Sequence, residues 1–297
     1  MRRIAEWHGA NGVHRKPDLL MMTKRFSGTA PEADEYRLFT LRNASDMVAT
    51  ITERDAALWS WRAPDRYGRM ADVLLAPKGA ANPVLWQGRH ADGGVTLLRT
   101  GAGGAVAQLA KYRLDDDGCL SVEHEVVAMA PTTLELGACP AFNLNGGIAD
   151  VGDHMVQIDA DYYVEVDADG MPSGVAAVAG TAFDFRQPAP IGARLRWPDS
   201  QICGRGGFNH SLFVRSHFAG GQGPLRTVAR IVDPGSGRCL QVQTTEAAVQ
   251  FRAGHQGGFS VEAQARPELA SAAWPHVIVS PGQVYRQTTV YRLTLQA

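Results

Sequence analysis

The chain lacks the features that would place it in a membrane or on a nucleic acid. No apolar run approaches the roughly 20 residues that a membrane-spanning helix needs. Against 29 Lys and Arg residues stand 30 Asp and Glu, for a net charge of −1. So weak a global field attracts neither nucleic acid nor an anionic bilayer, and neither is expected as a partner. Cysteine is scarce, with four in 297 residues. Cys119, Cys139, Cys203 and Cys239 lie far apart and form no CxxC pair, which argues against both a disulfide framework and a zinc site. Repeats and low-complexity tracts are absent. Arg2 and Arg3 have no apolar stretch behind them, so no secretory signal is expected and a reducing cytoplasm is the expected location.

What the chain has in quantity is turn material. Its 32 Gly and 16 Pro punctuate a sequence that is 45% hydrophobic, ample for a large core. All-β sandwiches of about 200–250 residues fold as one domain, so the length permits a single sandwich. Strands are expected over 36–41, 47–52, 58–61, 70–75, 95–98, 105–114 and 120–129. Asp115-Asp116-Asp117-Gly118 lacks the spaced ligands and terminal Glu of a calcium loop and reads as an acidic hairpin turn. His124 shares the parity of Leu120, Val122 and Val126 and reads as a sheltered structural histidine. Strict alternation from Val156 to Val166 predicts one continuous strand. Pro234-Gly235-Ser236-Gly237 joins 227–233 to 238–245 as a hairpin. Residues 1–34 show no clean period.

One octapeptide carries chemistry: Ser260-Val261-Glu262-Ala263-Gln264-Ala265-Arg266-Pro267. As a strand it puts Val261, Ala263 and Ala265 on one face and Glu262, Gln264 and Arg266 on the other. Pro267 cannot donate to a ladder, so the strand should stop or meet an edge there. A carboxylate beside an amide and a guanidinium can be a positioned general base. The same residues can equally make a solvated polar face with an ordinary ion pair.

The segment Trp274-Pro275-His276 to Pro281-Gly282, then Thr289-Val290-Tyr291, follows this octapeptide. Glu262, Gln264 and Pro267 with that ending resemble the C-terminus of the aldose 1-epimerases, or galactose mutarotases. That family has a Glu-x-Gln-x-x-Pro stretch, a Pro-Gly turn and a closing strand with Thr-x-Tyr. Pro64-Asp65-Arg66 with Ala71-Asp72-Val73, Phe142-Asn143-Leu144, Gly180-Thr181-Ala182-Phe183-Asp184-Phe185-Arg186 and Ser236-Gly237-Arg238 extend the resemblance over roughly residues 36–295. It implies an all-β fold, a large antiparallel β-sandwich of the galactose mutarotase type over residues 35–297. The extension at 1–34 is then flexible or draped over the sandwich. The resemblance also implies a sugar on a concave face, Glu262 as the catalytic base, no cofactor and no metal. A monomer or weak homodimer is expected.

The chain departs from the family pattern at the site. Mutarotases carry, in the region of 76–99, an Asn-Arg pair and a His-Gly-Gly motif whose Arg and His contact sugar. Arg89-His90 and Gly93-Gly94 are not at that spacing, so the segment reads as deleted and Arg89-His90 as loop. Cys139 stands where the family's catalytic acid, a His, is expected. A thiol with an unperturbed pKa of roughly 8.5 is a poor substitute for imidazole, and a small buried hydrophobe is the plainer reading. Asn209 stands at the position of an Asp that binds sugar hydroxyls, and an amide can both donate to and accept from them. His210 beside it is a candidate for the missing acid, although Gly206-Gly207-Phe208-Asn209-His210 is also a loop signature. The expected substrate contacts are thus Asn209, His210, Gln264 and Cys139, around Glu262.

The expected function is exchange of sugar anomers by acid/base ring opening. The alternatives are a carbohydrate-binding or sensing protein on the same fold, and a sugar-directed enzyme that cleaves a bond. The last needs a second acid/base group converging on Glu262. For the extension, a chain starting at Met21 is expected to keep its melting temperature and sugar binding. Insolubility of that shortened chain would show that the extension covers an apolar face.

Overall fold

The computed structural model of the protein describes residues 36–75, 83–101, 104–133, 136, 139–203, 205–215, 223–254, 257–265 and 278–296. The predicted extension at 1–34 lies outside them, as do Arg266, Pro267 and Trp274 to Val277. The first strands are β1 (Leu38–Arg42), β2 (Val48–Thr52), β3 (Leu58–Pro64) and β4 (Met70–Asp72). Next come β5 (Gln87–Ala91), β6 (Gly94–Thr100), β7 (Val106–Leu114) and β8 (Cys119–Ala128). The middle holds β9 (Thr132–Thr133), β10 (Met155–Ile158), β11 (Ala160–Val166), β12 (Pro172–Ala177), β13 (Ala189–Pro190) and the short helix α1 (Ile191–Leu195). The chain then forms β14 (Gly207–Val214), β15 (Arg226–Val232), β16 (Arg238–Thr244), β17 (Ala248–Gly254), β18 (Phe259–Gln264), β19 (Ile278–Val279) and β20 (Val284–Leu295).

A nine-stranded sheet runs β13-β10-β15-β16-β20-β8-β7-β6-β5, and a five-stranded sheet runs β12-β11-β14-β17-β18. Strands β1 to β4 form a meander, and β9 pairs with β19. Pairings such as β7 with β8, β8 with β20 and β17 with β18 are all antiparallel. One apolar core joins the three larger sheets: Leu97, Tyr112, Leu120 and Tyr291 from the nine-stranded sheet, Phe208, Phe251 and Val261 from the five-stranded, Trp61 from the meander. This is an all-β antiparallel sandwich. Among the described residues no helix is long and apolar enough to cross a membrane.

Three sequence expectations need correction. The strand expected from Val156 to Val166 is two strands in two sheets: β10 pairs with β15, whereas β11 pairs with β12 and β14. A register shift between Ala160 and Tyr162 moves Tyr163 into the core and leaves Tyr162 exposed, against the alternation. Such a shift accompanies an irregularity that turns a strand. Arg89 and His90 are not loop residues but part of β5, joined to β6 by Asp92-Gly93 with both φ angles positive, the usual two-residue hairpin turn. Gly207 does not lie in a loop; it opens β14. Its φ of +118° and the approach of the Ala253 carbonyl leave no room for a Cβ.

Arg238 fastens the meander to the large sheet. It is 2% exposed, and its guanidinium donates to the carbonyls of Pro64, Ala63, Arg69 and Leu144 at 2.8 to 3.2 Å. Removing it deletes four charge-assisted hydrogen bonds, each worth about 1.5–3 kcal/mol, although the Arg69 and Leu144 carbonyls keep the Asp65 N–H and Ser236 Oγ as donors. Arg238→Ala is therefore expected to lose about 3 kcal/mol or more of stability in urea unfolding, and Arg238→Lys to recover only part of it.

Candidate active site

The site begins with register. In the five-stranded sheet Ser211 pairs with Gln250, and Gln250 with Glu262. Asn209 pairs with Arg252, and Arg252 with Ser260. Because alternate residues point to opposite faces, Asn209, Ser211, Gln250, Arg252, Glu262 and Gln264 share one polar face. Their neighbours Leu212, Val249, Phe251 and Val261 are buried in the core on the other. The apolar half of each strand fixes where the polar half must lie.

The polar face is one hydrogen-bonded lattice. Arg252 Nη1 donates to Glu262 Oε2 at 2.7 Å, and Arg252 Nε donates to Asn209 Oδ1 at 3.0 Å. Gln250 Nε2 donates to the same Asn209 oxygen at 2.8 Å. Asn209 Oδ1 thus takes two donors, which fixes its amide and leaves Nδ2 as the end offered to a ligand. Ser211 Oγ lies 2.6 Å from Gln250 Oε1 and 2.7 Å from Gln264 Oε1. One hydroxyl proton cannot serve both oxygens. Gln250 is fixed by its bond to Asn209, so Gln264 satisfies the network with its NH2 end turned to Ser211 and its carbonyl turned away.

Cys139 reaches this face through a second tether. Phe142 and Phe259 exchange backbone hydrogen bonds at 2.7 and 2.9 Å, and their rings stack at 5.8 Å. The Cys139-Pro140-Ala141 segment is thereby held beside the start of β18. Burial, then the Glu262 carboxylate, pushes the Cys139 thiol well above its ordinary range, while Arg252 and a hydrogen bond with Ser260 pull it partly back. The thiol stays protonated beside the carboxylate.

The inner face of the large sheet faces the same region. Gln287 Nε2 donates to the Ala263 carbonyl of β18 at 3.2 Å, and Gln287 pairs directly with His124. Burial pushes His124 down to about 4, so its ring is neutral at pH 7. Tyr285 donates to Glu246 Oε1 at 3.0 Å, and burial pushes Glu246 up to about 7 against the pull of Tyr285, Gln287 and Arg226. Among the described residues no group of three or more His, Cys, Asp or Glu is arranged to hold a metal ion.

The model of the aldose 1-epimerase family matches residues 79–292. The chain belongs to the aldose 1-epimerase family. It is 32% identical to galactose mutarotase of Bos taurus, over 71% of this chain and 66% of that protein. It is 27% identical to aldose 1-epimerase of Escherichia coli K12, over 89% of this chain and 96% of that protein. The chain thus spans about two thirds of the bovine relative and nearly all of the bacterial one. Among solved structures, the aldose epimerase homologue from C. elegans superposes with a TM-score of 0.73 at 18% identity, covering 89% of this chain and all of that one. Galactose 1-epimerase from Lactobacillus acidophilus gives 0.72 at 20% identity, covering 90% and 97%. At those identities the superpositions speak for the fold.

Within this family member the sequence-derived set is partly brought together. Glu262, Gln264, Asn209 and Cys139 converge. His210 does not: it points to the other face of β14, is 2% exposed and packs against Phe183 at 4.7 Å. Its Nδ1 accepts from the Asn209 backbone N–H at 3.1 Å, so its proton sits on Nε2, directed at Gln201 Oε1 at 3.3 Å. Side-chain parity excludes it from the face that carries Glu262. Arg252, Gln250, Ser211 and Gln287 were missed in the sequence. The polar–apolar–polar run Gln250-Phe251-Arg252 was the available signal, but only register shows that it faces Glu262.

Burial also makes His210 a stability sensor. It pushes the ring down to about 4, with Arg205 adding to the shift, against roughly 6.5 in an open chain. Below 6.5 the unfolded chain takes up a proton that the folded protein refuses, so this contribution is complete above pH 6.5 and lost as pH falls to about 4. Glu246 acts in the opposite sense. With its pKa raised to about 7, it binds a proton first in the folded protein and adds stability as pH falls from 7 toward 4.5. Comparison with His210→Gln cancels the Glu246 effect. The stability advantage of the wild type over that variant should shrink by up to about 3 kcal/mol between pH 6.5 and 4 in urea titrations. A pH-independent difference would refute the buried neutral ring.

Proposed function

We propose that the protein is an aldose 1-epimerase, exchanging the α and β anomers of a free aldose by opening and reclosing the ring. Its relatives in sequence are isomerases of this kind. The observation that carries the reading is Glu262 itself. Arg252 engages Oε2 only, leaving Oε1 without a hydrogen bond among the described residues, on a carboxylate about one third exposed. That oxygen is available to take the anomeric proton. Asn209 Nδ2 and the Gln264 carbonyl offer a donor and an acceptor on the same face, a combination suited to sugar hydroxyls. Four free thiols are in keeping with a cytoplasmic enzyme. The sandwich over 35–297 is taken as the functional unit.

A sugar-binding role without turnover is the second reading, favoured by the protonated thiol at the position of the family's acid. The two readings separate by rate. Polarimetry on freshly dissolved α-glucose and α-galactose should show accelerated mutarotation. A base acts on a proton in flight and matters more in the transition state than in the ground state. Glu262→Gln should therefore lower the rate by roughly 10²–10⁴ while leaving sugar affinity, read by saturation-transfer NMR, within a few-fold. Unchanged catalysis in that variant would remove Glu262 as the base.

A further inference from the structure

Ring opening needs an electrophile at the ring oxygen, and the usual candidates in this site are poorly placed for it. His210 is on the wrong face. Cys139 carries a thiol whose proton is held more tightly than usual by burial and by the adjacent carboxylate. His124 is neutral, and a neutral imidazole that gave up its remaining N–H would become an imidazolate. Arg252 is different in kind. It is 46% exposed on its side chain, so a ligand can reach it, and it lies one strand from Glu262 with its Nη1 already on that carboxylate. Asn209 Oδ1 holds Nε at 3.0 Å and so aims the guanidinium plane. Two N–H groups are thereby committed, and Nη2 has no partner among the described residues. Asn209 is uncharged, so Glu262 is the one carboxylate bonded to Arg252 among the described residues, and the cation is not over-neutralised.

We propose that Arg252 is a catalytic residue that stabilises the ring oxygen as the C1–O5 bond breaks, while Glu262 carries the proton from the anomeric oxygen to the ring oxygen. This rests on Glu262 being the base. The step balances within the site. Glu262 takes the anomeric proton, the O1–H electron pair forms the C1=O1 double bond, and the C1–O5 pair leaves on O5. That developing charge meets the Arg252 N–H groups, and the proton on Glu262 then passes to O5. The open-chain aldehyde stands beside a regenerated carboxylate–guanidinium pair. Rotation about C1–C2 and the reverse steps close the other anomer. The guanidinium donates hydrogen bonds throughout and never gives up a proton, which suits a group that is not deprotonated in proteins.

The test uses the full chain, α-glucose and α-galactose, and polarimetry. Arg252→Gln should lower kcat roughly 10²–10³, the scale for removing one preorganised oxyanion donor, with KM changed only a few-fold. Arg252→Ala should behave alike and regain at least about tenfold in rate on adding guanidinium ion at roughly 20 mM, far below denaturing concentrations, as free cation refills the place of the side chain. Thermal unfolding of both variants checks that they fold, and Arg252→Lys supplies a third if either does not. The inference fails if folded Arg252 variants keep kcat within threefold of wild type, or if they raise KM alone. It fails also if guanidinium restores nothing. Glu262→Gln, run in parallel, separates the two claims. An inactive Glu262→Gln with fully active Arg252 variants removes only the role of Arg252, whereas an active Glu262→Gln removes both.

Discussion

The pairing of β17 with β18 is the constraint on which the site depends. Gln250 faces Glu262 and Arg252 faces Ser260 because Phe251 and Val261 must both be buried. A slip of one residue would turn Glu262 into the core and bring Val261 out to the cleft. The cost of burying an unpaired carboxylate and exposing two large apolar groups protects the register. Chemistry is thus held in place by apolar burial on the reverse side of the same strands. Phe142, bridged to Phe259, extends that control to Cys139, which has no strand of its own.

The lattice across Asn209, Gln250, Arg252 and Glu262 pre-arranges the site in a way that separate residues could not. Each amide has its direction set by a neighbour, beginning at Arg252, which can only donate. Donor and acceptor ends are therefore settled before any ligand arrives, and little ordering is left for binding to supply. The uncharged side chain of Asn209 fits that arrangement. A carboxylate there would compete with Glu262 for the same guanidinium, whereas an amide oxygen steers the cation and leaves its charge to Glu262.

The contrast between His210 and His124 shows how burial sets the roles of similar side chains. Both rings are neutral because burial disfavours the charged form. His210 is engaged at both nitrogens within the five-stranded sheet. His124 lies opposite Gln287 on the inner face of the larger one, next to the strand that carries Glu262. Its sequence parity matched its apolar neighbours, and the structure keeps it on their face. What parity could not convey is that the apolar stripe opens into a polar cleft at that row.

The all-β architecture, the hairpin at Pro234 to Gly237 and the two faces of β18 were legible in the sequence, since each follows from a period of two or from local turn chemistry. The family resemblance supplied Glu262, Gln264, Asn209 and Cys139 as positions to watch. Tertiary structure alone decided which of these meet, and it separated His210 from them by the simple alternation of a strand that the Gly-Gly pair had disguised as a loop. It also decided that 156–166 changes sheets, because alternation is satisfied equally by one sheet or by two. Arg252 is the clearest case. An arginine ten residues before Glu262 is unremarkable along the chain, and only the fold-back of β17 on β18 places its guanidinium 2.7 Å from the carboxylate. Local physics fixes which face a side chain takes; which other side chain it meets there is set by long-range pairing, and no local pattern encodes it.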